Sequence, residues 1–282
     1  MKNFNSYINN LYYKGVYKSN MIKEYTDDIE SDYTTINFEH KFPKRITRYS
    51  TFINYDLFNV TKTSEENSLM PWHVKQVHNH FKTIYKNIEC IKKIIDATAH
   101  IGVDSINFLH IFKNANLISF ERDKETYDVL CSNLLKFSHV TKTYSIDKLT
   151  DPGNKTQSYN LDFVENIDYI QNSDIVFIDA PWGGKEYRTK TKVSLYLHSN
   201  TGNNYSVDKV KPIENYNIIE IVKKILTSNY GVYSIILKVP FNYEFSNFEK
   251  QIHNCEPNTK LYYKNVYRGN SNIISFVLIF II

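Results

Sequence analysis

The sequence predicts an α/β fold: a doubly wound, mostly parallel sheet ending in an antiparallel terminal hairpin, behind an N-terminal extension. Two patterns predict it. Short apolar runs that end in an acid or a turn alternate with segments whose apolar residues recur at helical spacing, as in βαβ units. The last two apolar runs, 261–266 and 273–282, both read as strands, and two consecutive strands suggest an antiparallel hairpin at the sheet edge. Size agrees: 282 residues with 42% hydrophobic content can fill a large core.

The elements follow in order. Residues 1–60 carry no clear period and form the extension, and 61–282 form the main domain. Within the extension Lys41, Lys44, Arg45 and Arg48 make a basic stretch, either a solvated face or a surface for phosphates. A helix opens at Pro71, with Val74, Val77, Phe81, Ile84 and Ile88 on one stripe. Ile94 and Ile95 form a strand ending at Asp96. A turn through Gly102 leads to a helix with Ile106, Leu109 and Phe112 inward. The strand 117–120 ends at Glu121, and Asp123 caps a helix with Tyr127, Leu130 and Leu134 inward. Asp151-Pro152-Gly153-Asn154 is a turn, and a strand precedes Asp162. Residues 174–178 form a strand running into Asp179. Residues 185–211 are polar and read as a long loop or insertion. A helical stripe of Ile218, Ile219, Val222, Ile225 and Leu226 ends at Gly231, and 232–239 is a strand.

Composition narrows the class. The net charge of +4 permits an anionic partner without demanding one. Three dispersed cysteines show neither a disulfide framework nor a metal-binding spacing, so no metal is expected and a reducing compartment fits. No apolar run reaches the roughly 20 residues that span a bilayer. The expectation is a soluble, intracellular protein of cytoplasm or nucleus, without membrane contact.

Two constellations carry chemistry. In an open parallel sheet, ligands bind beyond the carboxyl ends of the strands. Asp96, the turn to Gly102, Glu121 and Asp162 follow three such ends in series. An acid after the second strand can accept both hydroxyls of a ribose, so the series suits an adenosine-type ligand. The Gly-x-Gly-x-x-Gly dinucleotide fingerprint is absent.

The second constellation is Asp179-Ala180-Pro181-Trp182-Gly183-Gly184 at the end of a strand. Asp179 can accept a hydrogen bond from an exocyclic amine and aim its lone pair. Pro181 fixes the backbone direction. Trp182 offers a face for base stacking, worth roughly 1–3 kcal/mol, and a cationic base adds roughly 0.5–2 kcal/mol. Gly183 and Gly184 leave room for a ligand beside the backbone. Asp179, Pro181 and Trp182 are thus the candidate catalytic residues. A tight turn with a core tryptophan is the plain structural alternative.

These residues resemble the trimethylguanosine synthases, the RNA cap guanine-N2 methyltransferases. That family has a first motif like Asp-x-Phe-x-Gly-x-Gly-Gly-Asn-x-Ile-x-Phe and a second like Ser/Asp-Pro-Pro-Trp-Gly-Gly. Here the first reads Asp96-Ala-Thr-Ala-His-Ile-Gly102-Val-Asp104-Ser-Ile106-Asn-Phe108, and the second is the Asp179 motif. Upstream, Tyr55-Asp-Leu-Phe58 and the Pro71 helix are similar to the family's helical extension. His100, Val103 and Ala180 depart from the pattern.

The resemblance implies a Rossmann-like methyltransferase. S-adenosylmethionine would be held by Asp96, Thr98, His100, Gly102, Glu121, Asp162 and Asp179, and S-adenosylhomocysteine would be the product. The substrate would be capped RNA. Its 7-methylguanosine would stack on Trp182 beside Gly183, with Lys185, Arg188 or the 41–48 stretch on phosphates and Phe241 and Tyr243 as walls. Two alternatives stay open: an N6-adenine or other amino methyltransferase of RNA or DNA, and an RNA-binding scaffold without activity.

Overall fold

A computed structural model describes residues 22–23, 33–36, 59–61, 71–141, 156–199, 214–268 and 271–281. The basic stretch at 41–48, the family-like 55–58, the turn at 151–154 and residues 200–213 lie outside them. Three short strands come first, β1 (Ile22–Lys23), β2 (Tyr33–Ile36) and β3 (Asn59–Thr61), forming a small antiparallel sheet.

The main domain starts with helix α1 (Pro71–Ile84), strand β4 (Lys93–Asp96), helix α2 (Val103–Ile111) and strand β5 (Asn116–Phe120). Helix α3 (Lys124–Thr141) and strands β6 (Thr156–Tyr159) and β7 (Ile175–Ile178) follow. Next come β8 (Tyr196–Ser199), paired antiparallel with β9 (Glu214–Asn217), then helix α4 (Ile218–Thr227) and strand β10 (Ser234–Pro240). Helix α5 (Phe245–Cys255) and strands β11 (Lys260–Arg268) and β12 (Ser271–Phe280) close the chain.

Seven strands make one sheet in the order β11-β12-β10-β7-β4-β5-β6. Strands β4, β5, β6, β7 and β10 are parallel, and β12 runs antiparallel to both its neighbours. One face carries Phe81 of α1, Ile106 and Leu109 of α2, and Leu130 and Leu134 of α3. The other carries Val222 and Ile225 of α4 and Phe248 and Ile252 of α5. This is a doubly wound Rossmann-like sheet with helices on both faces.

Local rules explain the agreement with the expected elements. Asp123 accepts hydrogen bonds from the Thr126 backbone N–H at 2.8 Å and hydroxyl at 2.6 Å, capping α3 as its position predicts. The Asn217 side chain accepts the Ile219 N–H at 2.9 Å and caps α4.

The antiparallel terminal hairpin lies at the sheet edge as expected, with β11 outermost and β12 between it and β10. Three expectations need correction. Gly231 does not end α4, which stops at Thr227. Instead Gly231 turns the chain toward β10 with φ of 65°, in contact range of Asn172. Ile88 falls outside α1, in a separate 3-10 turn, Ile88–Cys90. The polar segment from 185 is ordered at its start, as a 3-10 helix, Gly184–Thr189, and then β8. Helix α5 was missed by sequence pattern: it is mostly polar, and only Phe248 and Ile252 are fully inward.

Candidate functional site

Strand order decides where the site lies. From β4 the chain moves outward through β5 and β6, then crosses back to lay β7 on the other side of β4. The crevice beyond the carboxyl ends of β4 and β7 is the switch point at which open α/β sheets bind ligands. Both sequence constellations end there. The Thr98 hydroxyl accepts the Asp179 backbone N–H at 2.7 Å, so the turn after β4 and the segment after β7 are tied together.

On the β4 side, Asp96 is fully buried. Its carboxyl accepts the Ser105 hydroxyl at 2.5 Å and the Thr98 N–H at 3.3 Å. Burial pushes its pKa up to about 7 against the pull of Ser105, with Asp104 and Asp179 adding like charge. Gly102 precedes α2 with φ of 89°, and a Cβ there would meet Leu130 Cδ1 at 2.8 Å. Glycine is thus required twice, by conformation and by space. His100 has φ of 50°, unusual for a residue with a side chain. Burial, then the nearby Lys238 charge, lowers its pKa to about 4, so it is neutral at physiological pH.

Glu121 follows β5 and accepts the Asp123 N–H at 2.8 Å. Burial raises its pKa, while hydrogen bonds from the Asp123 and His100 backbones oppose the rise. Asp162 lies beyond β6, where it accepts the Val164 N–H at 2.8 Å and faces Arg122 at 4.0 Å. Asn160, which the sequence reading passed over, donates to the carbonyls of Glu121 and Arg122 at 3.0 and 2.9 Å and joins these two strand ends.

On the β7 side, Asp179 meets a residue the sequence reading missed. Lys238 of β10 is 2% exposed and donates to Asp179 at 2.6 Å and to Asp104 at 2.8 Å. Sheet register produces the contact: Leu237 pairs with Ile178, so the next residues, Lys238 and Asp179, emerge side by side. The signal in the sequence was a lone cation inside the apolar strand Ser-Ile-Ile-Leu-Lys-Val-Pro. Burial pushes the Asp179 pKa up to about 6, and Lys238 holds it from rising further.

Aromatic side chains cluster beside Asp179. Trp182 packs edge-on to Tyr187 at 5.2 Å, and Tyr187 lies 6.4 Å from Phe241, which is 41% exposed. The indole N–H opposes the rise in the Asp179 pKa but makes no hydrogen bond of ordinary geometry. Trp182 also touches both hydrophobic cores, so it is part structural and part exposed. Pro181 is exposed and Ala180 buried. Gly183 and Gly184 have φ of 83° and 67°, with open space where a Cβ would stand. Lys185 lies in the following 3-10 helix. Arg188 is exposed, its guanidinium 5.6 Å from the Tyr187 ring centre. Tyr243, expected as a pocket wall, instead has its ring in the core against Phe245 and Phe248, after a turn closed by its backbone N–H on the Pro240 carbonyl at 3.1 Å. Among the described residues no three His, Cys, Asp or Glu side chains gather as a metal would require, and no helix is long and apolar enough to cross a membrane.

The chain has a doubly wound Rossmann-like sheet. No protein-family model matches it. An uncharacterized protein, L320 of Acanthamoeba polyphaga mimivirus, is 25% identical over 197 residues; the match covers 70% of this chain and 64% of that protein. Solved structures similar in chain path include human methyltransferase 10 domain containing protein, at 8% identity and a TM-score of 0.45, covering 75% of this chain and 82% of that one. An rRNA methylase from Streptococcus thermophilus, at 11% identity and a TM-score of 0.43, covers 73% and 96%.

Proposed function

We propose that the protein is an S-adenosylmethionine-dependent methyltransferase acting on an exocyclic amino group of RNA, with N2 of a 7-methylguanosine cap as the preferred target. One observation carries this reading: the Asp96 turn and the Asp179 motif meet at the sheet's switch point, tied by Thr98.

The donor set suits the cofactor. The buried Asp96 carboxyl and the left-handed turn at Gly102 match a methionine-bearing ligand. Glu121 suits a ribose, and Asp162 suits the adenine edge. Thr98 and His100 belong to the same turn. S-adenosylmethionine supplies an activated methyl: a C–N bond forms as the C–S bond breaks, and the electron pair of that bond stays on sulfur. The protein's part is alignment, which can supply several kcal/mol of the barrier reduction. Asp179 accepts one amine N–H and directs the nitrogen lone pair, and the surplus proton departs after transfer.

The cap-specific reading draws on the aromatic group of Trp182, Tyr187 and Phe241 beside Asp179, which suits a flat cationic base. Arg188 and Lys185 are the candidate phosphate contacts. Tyr243 is left out of the pocket, since its ring is buried.

The test is transfer of labelled methyl from S-adenosylmethionine to three RNAs: 7-methylguanosine-capped, guanosine-capped and uncapped. Label on N2 of the 7-methylated cap alone is the expected result. Label on internal adenine would redirect the reading to N6 chemistry, and no label on any RNA would contradict it.

A further inference from the structure

We propose that Lys238 is a positioning residue for this methyl transfer: clamped between Asp104 and Asp179, it keeps the Asp179 carboxylate ionised, engages one of its oxygens, and leaves the other for the substrate amine. The inference rests on the proposed methyltransferase reading.

Geometry is its basis. Three segments converge on one ammonium: the first turn of α2 through Asp104, the segment after β7 through Asp179, and β10 through Lys238 itself. Both contacts are made by Oδ2 atoms, at 2.8 and 2.6 Å. The Asp179 backbone N–H is already held by Thr98, so the residue is fixed at two points. The Asp179 side chain is 21% exposed and that of Asp104 17%, while Lys238 is 2% exposed.

Stability does not call for this arrangement. Every residue of β10 is buried, and an apolar side chain at 238 with neutral partners costs less than desolvating three charges. A buried ion cluster facing a ligand crevice is better explained by what it does to Asp179. Two carboxylates around one ammonium leave one net negative charge beside the crevice. Asp96 can add a second when ionised, a field that favours a cationic methyl donor and a developing ammonium.

The charged and titratable groups facing Asp179 are Lys238, Asp104 and Asp96, and neutral His100 faces Lys238 and Asp104. Burial of Lys238 favours its neutral form, but the two carboxylates outweigh burial and hold it charged. Burial raises Asp179, Asp104 raises it further, and Lys238 opposes both. Removing Lys238 therefore raises the Asp179 pKa, and removing the Asp104 charge lowers it.

The experiment titrates the Asp179 carboxyl in the full chain by carbon-13 NMR of labelled aspartate, assigned with Asp179→Asn, alongside pH profiles of methyl transfer. In Lys238→Met the midpoint should rise by roughly 1–3 pH units. Transfer at pH 7 should fall with the ionised fraction, by about twofold for a one-unit rise and about a hundredfold for a three-unit rise, and recover toward pH 9. Lys238→Arg should keep the midpoint near the wild-type value. Asp104→Asn retains the Lys238–Asp179 pair and should move the midpoint down, so it tests the same cluster if Lys238→Met does not fold. An unmoved midpoint in a folded Lys238→Met, or a uniformly lowered profile of unchanged shape, overturns the role of Lys238 alone. Absence of transfer by the wild-type protein sinks the enzymatic reading itself, whatever the titration shows.

Discussion

Asp96 joins the chemistry of the site to the stability of the chain. Its folded pKa is about 7, against 3.8 for an ordinary aspartate. Between those values the folded chain holds a proton that the unfolded chain has lost, so stability falls as pH rises from about 4 to 7 and levels off above. Asp96→Asn removes that dependence. Across this range its stability should improve relative to wild type by about 3 kcal/mol, read from urea unfolding at each pH. A wild-type-minus-variant difference that stays flat from pH 4 to 8 would show that Asp96 is not held neutral. At this scale the sequence was informative where a residue ended a strand. Asp96, Glu121 and Asp179 announce themselves by following apolar runs, and Gly102 by its place before a helix. Lys238 and Asn160 do not, because their roles depend on which strands become neighbours, and strand order is not written in local pattern.

Among the elements, the strongly periodic ones were legible. Helices α2, α3 and α4 bury the stripes their spacing predicts, since an apolar face must find the sheet. Helix α5 escaped because its inward face is narrow and no side chain caps its N-terminus. It nevertheless covers the sheet on the α4 face, with Phe248 and Ile252 fully buried. Phe248→Ala should cost about 3–5 kcal/mol in chemical denaturation, whereas truncating the exposed Glu249 should change stability by less than about 0.5 kcal/mol. Near-equal costs would mean that α5 is a surface appendage. The hairpin was recognised from its two apolar runs, but the insertion of β12 beside β10 was not. That insertion matters to the site, because pairing with β12 on one side and β7 on the other fixes β10 and brings Lys238 beside Asp179.

At the scale of the whole molecule, a parallel sheet reverses its direction of winding between β4 and β7. Two sequence signals 83 residues apart, at Asp96 and Asp179, thereby come to face one crevice. The fold class was legible from alternation alone. The joining of the two signals followed from that class, since ligand sites in such sheets form where winding reverses. In the proposed division of labour within the crevice, the β4–β5 side would hold S-adenosylmethionine and the Trp182 side would hold the base. Calorimetric titration of S-adenosylmethionine into the wild type, Glu121→Ala and Trp182→Ala tests it most directly. The expected outcome is one site per chain in the wild type, binding weakened roughly tenfold or more by Glu121→Ala through loss of a hydrogen bond to a charged group, and near-wild-type affinity in Trp182→Ala. No binding by the wild-type protein, or equal affinity in wild type and Glu121→Ala, would contradict it.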